Sequence, residues 1–227
     1  MRGLLVRLRL YLKLWFTSFY SIVMMLFMPV VGLVLYNSGT FTIEDTSSLI
    51  YEKAAPIWFI FILQWCFSID MDSKFYSLVM TYPISGWRFI LERLLFSALI
   101  FASLLSVVTF ILMPSMGAFS WQSFLFTMPI YIVIAGFVVI GTVMGNRTLG
   151  GLLVGILVWM IFVFGAIFLG DLNVILLKYG SVYSFVKGES GFWATANAWI
   201  HYNRLFYFGL GVGLTGLAMF QFNRKSI

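Results

Sequence analysis

Apolar residues along this chain gather into six runs of about 18 to 22 positions, the length a helix needs to cross roughly 30 Å of hydrocarbon. They predict six transmembrane helices, over residues 15–36, 54–70, 94–113, 124–145, 149–169 and 205–222. A membrane barrel is written instead in alternating segments of about ten residues, and that pattern is absent. Helices also pair every backbone N–H and C=O within the segment, as a solvent without water requires. The expected fold is all-α, a single transmembrane domain over residues 1–227.

Polar residues sit mainly at the ends of the runs and set the orientation. With the N-terminus in the cytoplasm, all but four of the 14 Lys and Arg fall on the inner side, leaving Lys53, Lys178, Lys187 and Arg204 outside. The positive-inside rule then makes both termini cytoplasmic. Glu44, Asp45 and Glu52 cluster in the first outer loop under this topology. Residues 1–14 carry Arg2, Arg9 and Lys13 on one helical stripe with Leu4, Leu5, Leu8, Leu12 and Trp15 opposite. That pattern predicts a helix lying in the inner interface, its basic edge toward anionic headgroups. The run that follows is of full span length and has no small-x-small site after it, so a retained first helix is expected rather than a cleaved leader.

Composition narrows the class. The chain is 62% hydrophobic and 10% charged, which leaves too few charges to cover a water-soluble domain. The net charge of +6 would suit nucleic acid only on a solvent-facing cationic surface interleaved with stacking aromatics, and here the cations flank apolar runs. The single Cys66 excludes an intrachain disulfide and a cysteine metal cluster.

The inner loop between spans two and three carries the strongest local signal. Residues 70–93 read DMDSKFYSLVMTYPISGWRFILER. Asp70, Asp72 or Ser73 can cap a helix start, and Phe75, Leu78 and Val79 follow on one apolar face. Pro83 forces the residue before it out of helix, and Ser85-Gly86 makes a turn. A short amphipathic helix is thus expected to project from the inner face, its apolar side lying on lipid, on its own bundle or in a partner's groove.

The run TYPISGWRFILERLL, residues 81–95, resembles the stretch after the coupling helix of ABC-2 type permeases, the membrane subunits of a class of bacterial ABC exporters. The positions that carry the resemblance are Asp70 and Asp72, Leu78-Val79, Pro83-Ile84-Ser85, Trp87-Arg88 and Arg93. Upstream, the Glu-rich start and following Gly of the family are replaced by Asp72-Ser73-Lys74-Phe75. An interfacial N-terminal helix, six spans, cytoplasmic termini and a long outer segment between spans five and six resemble the same build. The resemblance implies a location in the bacterial plasma membrane and two partners, a cytoplasmic ABC ATPase and a second permease copy forming a homodimer. ATP and magnesium would belong to the ATPase; this chain has no GxxxxGK[ST] motif to cradle phosphates, and no cofactor of its own is expected. Asp72, Lys74, Phe75 and Tyr76 are the candidate ATPase-coupling residues.

Within the spans, Gly141/Gly145, Gly151/Gly155 and Gly209/Gly213 form small-xxx-small pairs expected to bring helices close. Intramembrane catalysis is disfavoured, because His201, the only histidine, falls in the outer segment and His/Asp/Glu ligand sets are missing. No charge is expected at depth, which argues against an ion-coupled carrier. Aromatic and Met-rich spans favour a hydrophobic or amphipathic cargo over one held by a buried ion pair. Trp58, Phe61, Gln64 and Trp65 in span two are candidate pathway-lining residues. Residues 171–186 and 192–204 are expected as two short helices dipping into the outer leaflet, with Tyr179 and Tyr183 as an outer gate. The expected function is export of a toxin, bacteriocin or antimicrobial peptide. Export of drugs or lipid-like molecules, or a non-transporting immunity or sensor role, are the alternatives.

Overall fold

The computed structural model describes residues 41–72, 86–191 and 193–225, together with scattered positions between 9 and 39. The interfacial helix expected over residues 1–14, most of the first span and the coupling residues Lys74, Phe75 and Tyr76 lie outside the described residues. Those that are described are predominantly helical, with no strand among them.

Helix α1 (Ile43–Ser47) begins at Thr42, whose hydroxyl oxygen accepts the Asp45 N–H at 3.2 Å, an N-cap. A π-helical turn, Ser48–Ala54, then leads into α2 (Ala55–Met71). Pro56 explains the change of register: it offers no N–H to the Glu52 carbonyl, and the Ala55 N–H reaches back to the Ile50 carbonyl. Helices α3 (Gly86–Met116), α4 (Phe119–Gly145) and α5 (Thr148–Phe164) follow with two residues at each join. Gly117 at φ 65° and Asn146 at φ 51° reverse the chain there, so the three helices pack as antiparallel neighbours. The chain then makes α6 (Ala166–Leu169), a 3-10 turn at Gly170–Leu172, α7 (Gly180–Lys187), a second 3-10 turn at Thr195–Asn197 and α8 (Ala198–Lys225).

The core sits around α4, which packs against α8 and α5 most extensively and also against α2 and α3. Glycine makes these approaches close. A Cβ on Gly151 would lie 2.6 Å from the Val138 carbonyl oxygen, and one on Gly141 would lie 2.9 Å from the Gly150 carbonyl oxygen. Two of the three expected glycine pairs therefore seat α5 on α4. The third, Gly209/Gly213, meets nothing within 4 Å; α8 touches α4 instead through Gly211 and Gly136, where an added Cβ would lie 2.7 Å from the Gly211 carbonyl oxygen.

Four helices are long and apolar enough to cross a membrane: Ile43–Ile69, Trp87–Met116, Phe119–Gly145 and Thr195–Arg224. The chain is a helical membrane protein. Helices at the predicted third, fourth and sixth spans overrun their expected boundaries, because an apolar run measures the hydrocarbon while the helix continues into polar interfacial layers. The fifth differs the other way. Helix α5 ends at Phe164 after 17 residues, about 25 Å of rise, and Gly165 closes it before residue 169. The outer segment is also less helical than expected. Only Gly180–Lys187 of residues 171–186 forms an α-helix, and the last residues of 192–204 belong to α8. Residues 173–177 lie outside any helix and are buried.

Candidate functional site

The most heavily bonded polar cluster lies where α2, the segment 171–179 and α8 meet. It begins with the π turn, which holds Glu52 against residues 171–177 on the opposite side of the bundle end. The Glu52 carboxylate, 1% exposed, accepts the Ser48 hydroxyl at 2.9 Å and the backbone N–H groups of Leu176 and Leu177 at 2.9 and 3.1 Å. Arg204, 7% exposed, donates to it at 3.0 Å. A second Arg204 nitrogen donates to the Val174 carbonyl at 3.3 Å, and the guanidinium stands 4.1 Å from the centre of the Phe126 ring. In place of water, these donors meet the lone pairs of the buried carboxylate.

The strap 171–177, buried and outside any helix from Asn173 to Leu177, has its carbonyls and N–H groups met largely by side chains. Asn203 donates to the carbonyls of Asp171 and Asn173 at 2.8 and 2.9 Å, and Tyr207 donates to that of Leu172. Asn173 accepts the Ile175 N–H at 2.9 Å, an Asx turn that shapes the strap locally. On the other side, the Tyr131 hydroxyl donates to the Tyr51 carbonyl at 2.8 Å, and Tyr51 donates to Thr109 at 3.0 Å. The π register makes that carbonyl available, because the residue five places on is Pro56. Helices α2, α3, α4 and α8 are thereby joined to the strap by one polar latch.

This latch overturns two expectations. Glu52 does not lie in a loop with Glu44 and Asp45, and the candidate spans Ile43–Ile69 and Thr195–Arg224 reach past the expected starts at residues 54 and 205, so they take in a buried ion pair where no charge was expected. The partners are 152 positions apart. One signal in the sequence is Arg204 itself, a cation six residues into an apolar helix.

At the opposite end, Asp72 closes α2 and its carboxylate accepts the Thr148 N–H at 3.2 Å as well as the Thr148 hydroxyl. The first N–H groups of α5 lack helical partners, and Arg147 at the N-cap makes no side-chain bond to them, so Asp72 caps α5 from a neighbouring helix. Of the four candidate coupling residues, this is the one within the described region.

Trp58, Phe61, Gln64 and Trp65 share the side of α2 turned away from the buried Phe59, Ile60, Leu63 and Phe67. Phe61 is 38% exposed, and Trp65 packs edge-on against Trp15 with ring centres 5.0 Å apart. A cavity of about 520 Å³ opens on another side, between α3 and α8 over α4, and α2 contributes Phe59 to it. Tyr179 forms the N-cap of α7, its hydroxyl 3.3 Å from the Asn173 amide, and borders a smaller polar pocket with Asp171 and Trp199. Tyr183, one turn on, packs on Phe119 with ring centres 4.6 Å apart. Tyr179 is thus tied to the strap, and Tyr183 to α4. Beyond them Lys187 and Glu189 pair at 2.7 Å in solvent; the hydrogen bond to Glu189 raises the Lys187 pKa, and exposure keeps the pair weak.

His201 packs between Phe185 and Trp193, with ring centres 5.1 and 5.9 Å away. Among the described residues no three His, Cys, Asp or Glu side chains stand together as a metal site would need. The arrangement fastens helices to one another and to the strap. Comparison with family models, with curated proteins and with solved structures returned no match.

Proposed function

We propose that the chain is the membrane-spanning subunit of an ABC-2 type exporter, six-spanning with both termini cytoplasmic in a bacterial plasma membrane. It works as a homodimer with a separate ATPase and moves a hydrophobic or amphipathic peptide outward. The observation that carries this proposal is the opposed fastening of α2. One end is held by the Asp72–Thr148 cap, from which residues 73–85 with their family-like sequence depart. The other end is held by the Glu52–Arg204 latch. A force applied to residues 73–85 acts on α2 and α3 as levers, and the load falls on a clamp with two discrete states, paired or parted. Parting it frees the strap 171–177 and the tyrosines beside it. A drug or lipid-like cargo is the second reading, favoured by the nearly wholly apolar lining of the 520 Å³ cavity.

Affinity purification of the tagged chain from its own membranes in mild detergent tests the proposal. The expected result is an ABC ATPase in the eluate, with ATP turnover that rises when amphipathic peptides are added. ATP hydrolysis by the chain alone, or recovery of a signalling kinase in place of an ATPase, contradicts it.

A further inference from the structure

The cavity between α3 and α8 shares Tyr131 with the latch and is otherwise lined almost wholly by apolar side chains. Leu91, Leu95 and Ala98 of α3 face Val212 and Thr215 of α8 across a floor that includes Ile132 of α4. Gly216 opens into it, and a Cβ there would meet nothing within 4 Å. At one end the two walls converge on Phe89 and Phe222, stacked with ring centres 5.7 Å apart. Cations gather at that end. Arg88 is exposed and lies 5.3 Å from the Trp87 ring, Arg93 lies 5.3 Å from the Phe89 ring, and Arg224, also exposed, lies 5.5 Å from the ring of Phe220, two residues before Phe222. Glu92 stands on the same turn of α3.

We propose that this groove holds one acyl chain of an anionic glycerophospholipid, with its phosphate on Arg88 and Arg224. An acyl chain brings no polar group that needs a partner, whereas an extended peptide laid in the same groove would leave its N–H and C=O groups unpaired against leucine and alanine. The volume of about 520 Å³ is that of a ligand pocket, which ranges over about 300–1,000 Å³. The cations at the closed end select the headgroup by charge. The lipid is resident, and its retention does not depend on export.

Native mass spectrometry of the full chain, released from nanodiscs of phosphatidylglycerol and phosphatidylcholine in equal amounts, reads this directly. The expected spectrum shows one retained phosphatidylglycerol per chain at least tenfold over phosphatidylcholine. The Arg88→Gln/Arg224→Gln variant should lose that preference, and Gly216→Leu, which fills the groove without touching a charge, should lose the lipid altogether. Ala98→Phe narrows the groove from the opposite wall, so failure of one filled variant to fold leaves the other as the test. Equal retention of both lipids, or full retention in a folded filled variant, overturns the proposal. So does stoichiometric displacement of the lipid by an amphipathic peptide, which would make the groove a cargo site.

Discussion

Glu52 has an environment unlike that of any other carboxylate described in the chain. Three acids lie within nine residues of one another, yet Glu44 and Asp45 belong to the first turn of α1 while Glu52 is buried among four donors. The difference comes from Pro56, which forces the π turn and so swings residue 52 inward. Removing one member of a buried pair strands the other charge, at a cost of about 3–5 kcal/mol. Glu52→Leu and Arg204→Met should each destabilise the chain by that amount, and the double substitution by less than their sum by about 1.5 kcal/mol or more. A double-mutant cycle of reversible unfolding in detergent measures this; additive effects would mean that the two side chains are not coupled. The pairing could not be read from sequence, because charge counting assigns each residue to a loop by its own neighbours. Local spacing offers Asp72 as a cap for a helix that follows it, whereas it closes α2 and caps the first turn of α5, a partner that spacing does not show.

At the scale of elements, glycine position decides which helices meet. The stripe Gly209/Gly213 satisfies the same sequence pattern as Gly151/Gly155 but faces open space, and Gly211 carries the contact with α4. A spacing rule cannot separate the two, since it does not say which side of a helix is turned inward. Gly151→Ala would press a methyl onto Thr142 and the Val138 carbonyl, and should destabilise by about 1–3 kcal/mol. Gly213→Ala meets nothing and removes a poor helix former, so it should be neutral or stabilising by up to about 1 kcal/mol. Thermal unfolding of the two variants compares them; equal damage would show that the open stripe is packed. The strap 171–177 was read as helix for a related reason. Its apolar residues have helical spacing, but Asn173 and the side chains of Asn203 and Tyr207 supply the backbone with partners outside a helix.

For the molecule as a whole, the class was legible and the working geometry was not. Apolar runs of span length report the solvent, and they located the three helices α3, α4 and α8 well. They carry no information on where an ion pair bridges distant ends, or where a glycine stops a helix short of its apolar run. The proposed exporter joins these scales: residues 73–85 receive the force, α2 and α3 transmit it, and the Glu52–Arg204 latch yields. The most direct test is a photo-crosslinking amino acid placed at Phe75 in the full chain within its native membranes, illuminated with and without ATP. The expected result is an adduct with a nucleotide-binding ATPase subunit, lost when Lys74 and Tyr76 are both replaced by Ala. Adducts with lipid alone under every condition would contradict the proposal that this segment couples the chain to an ATPase.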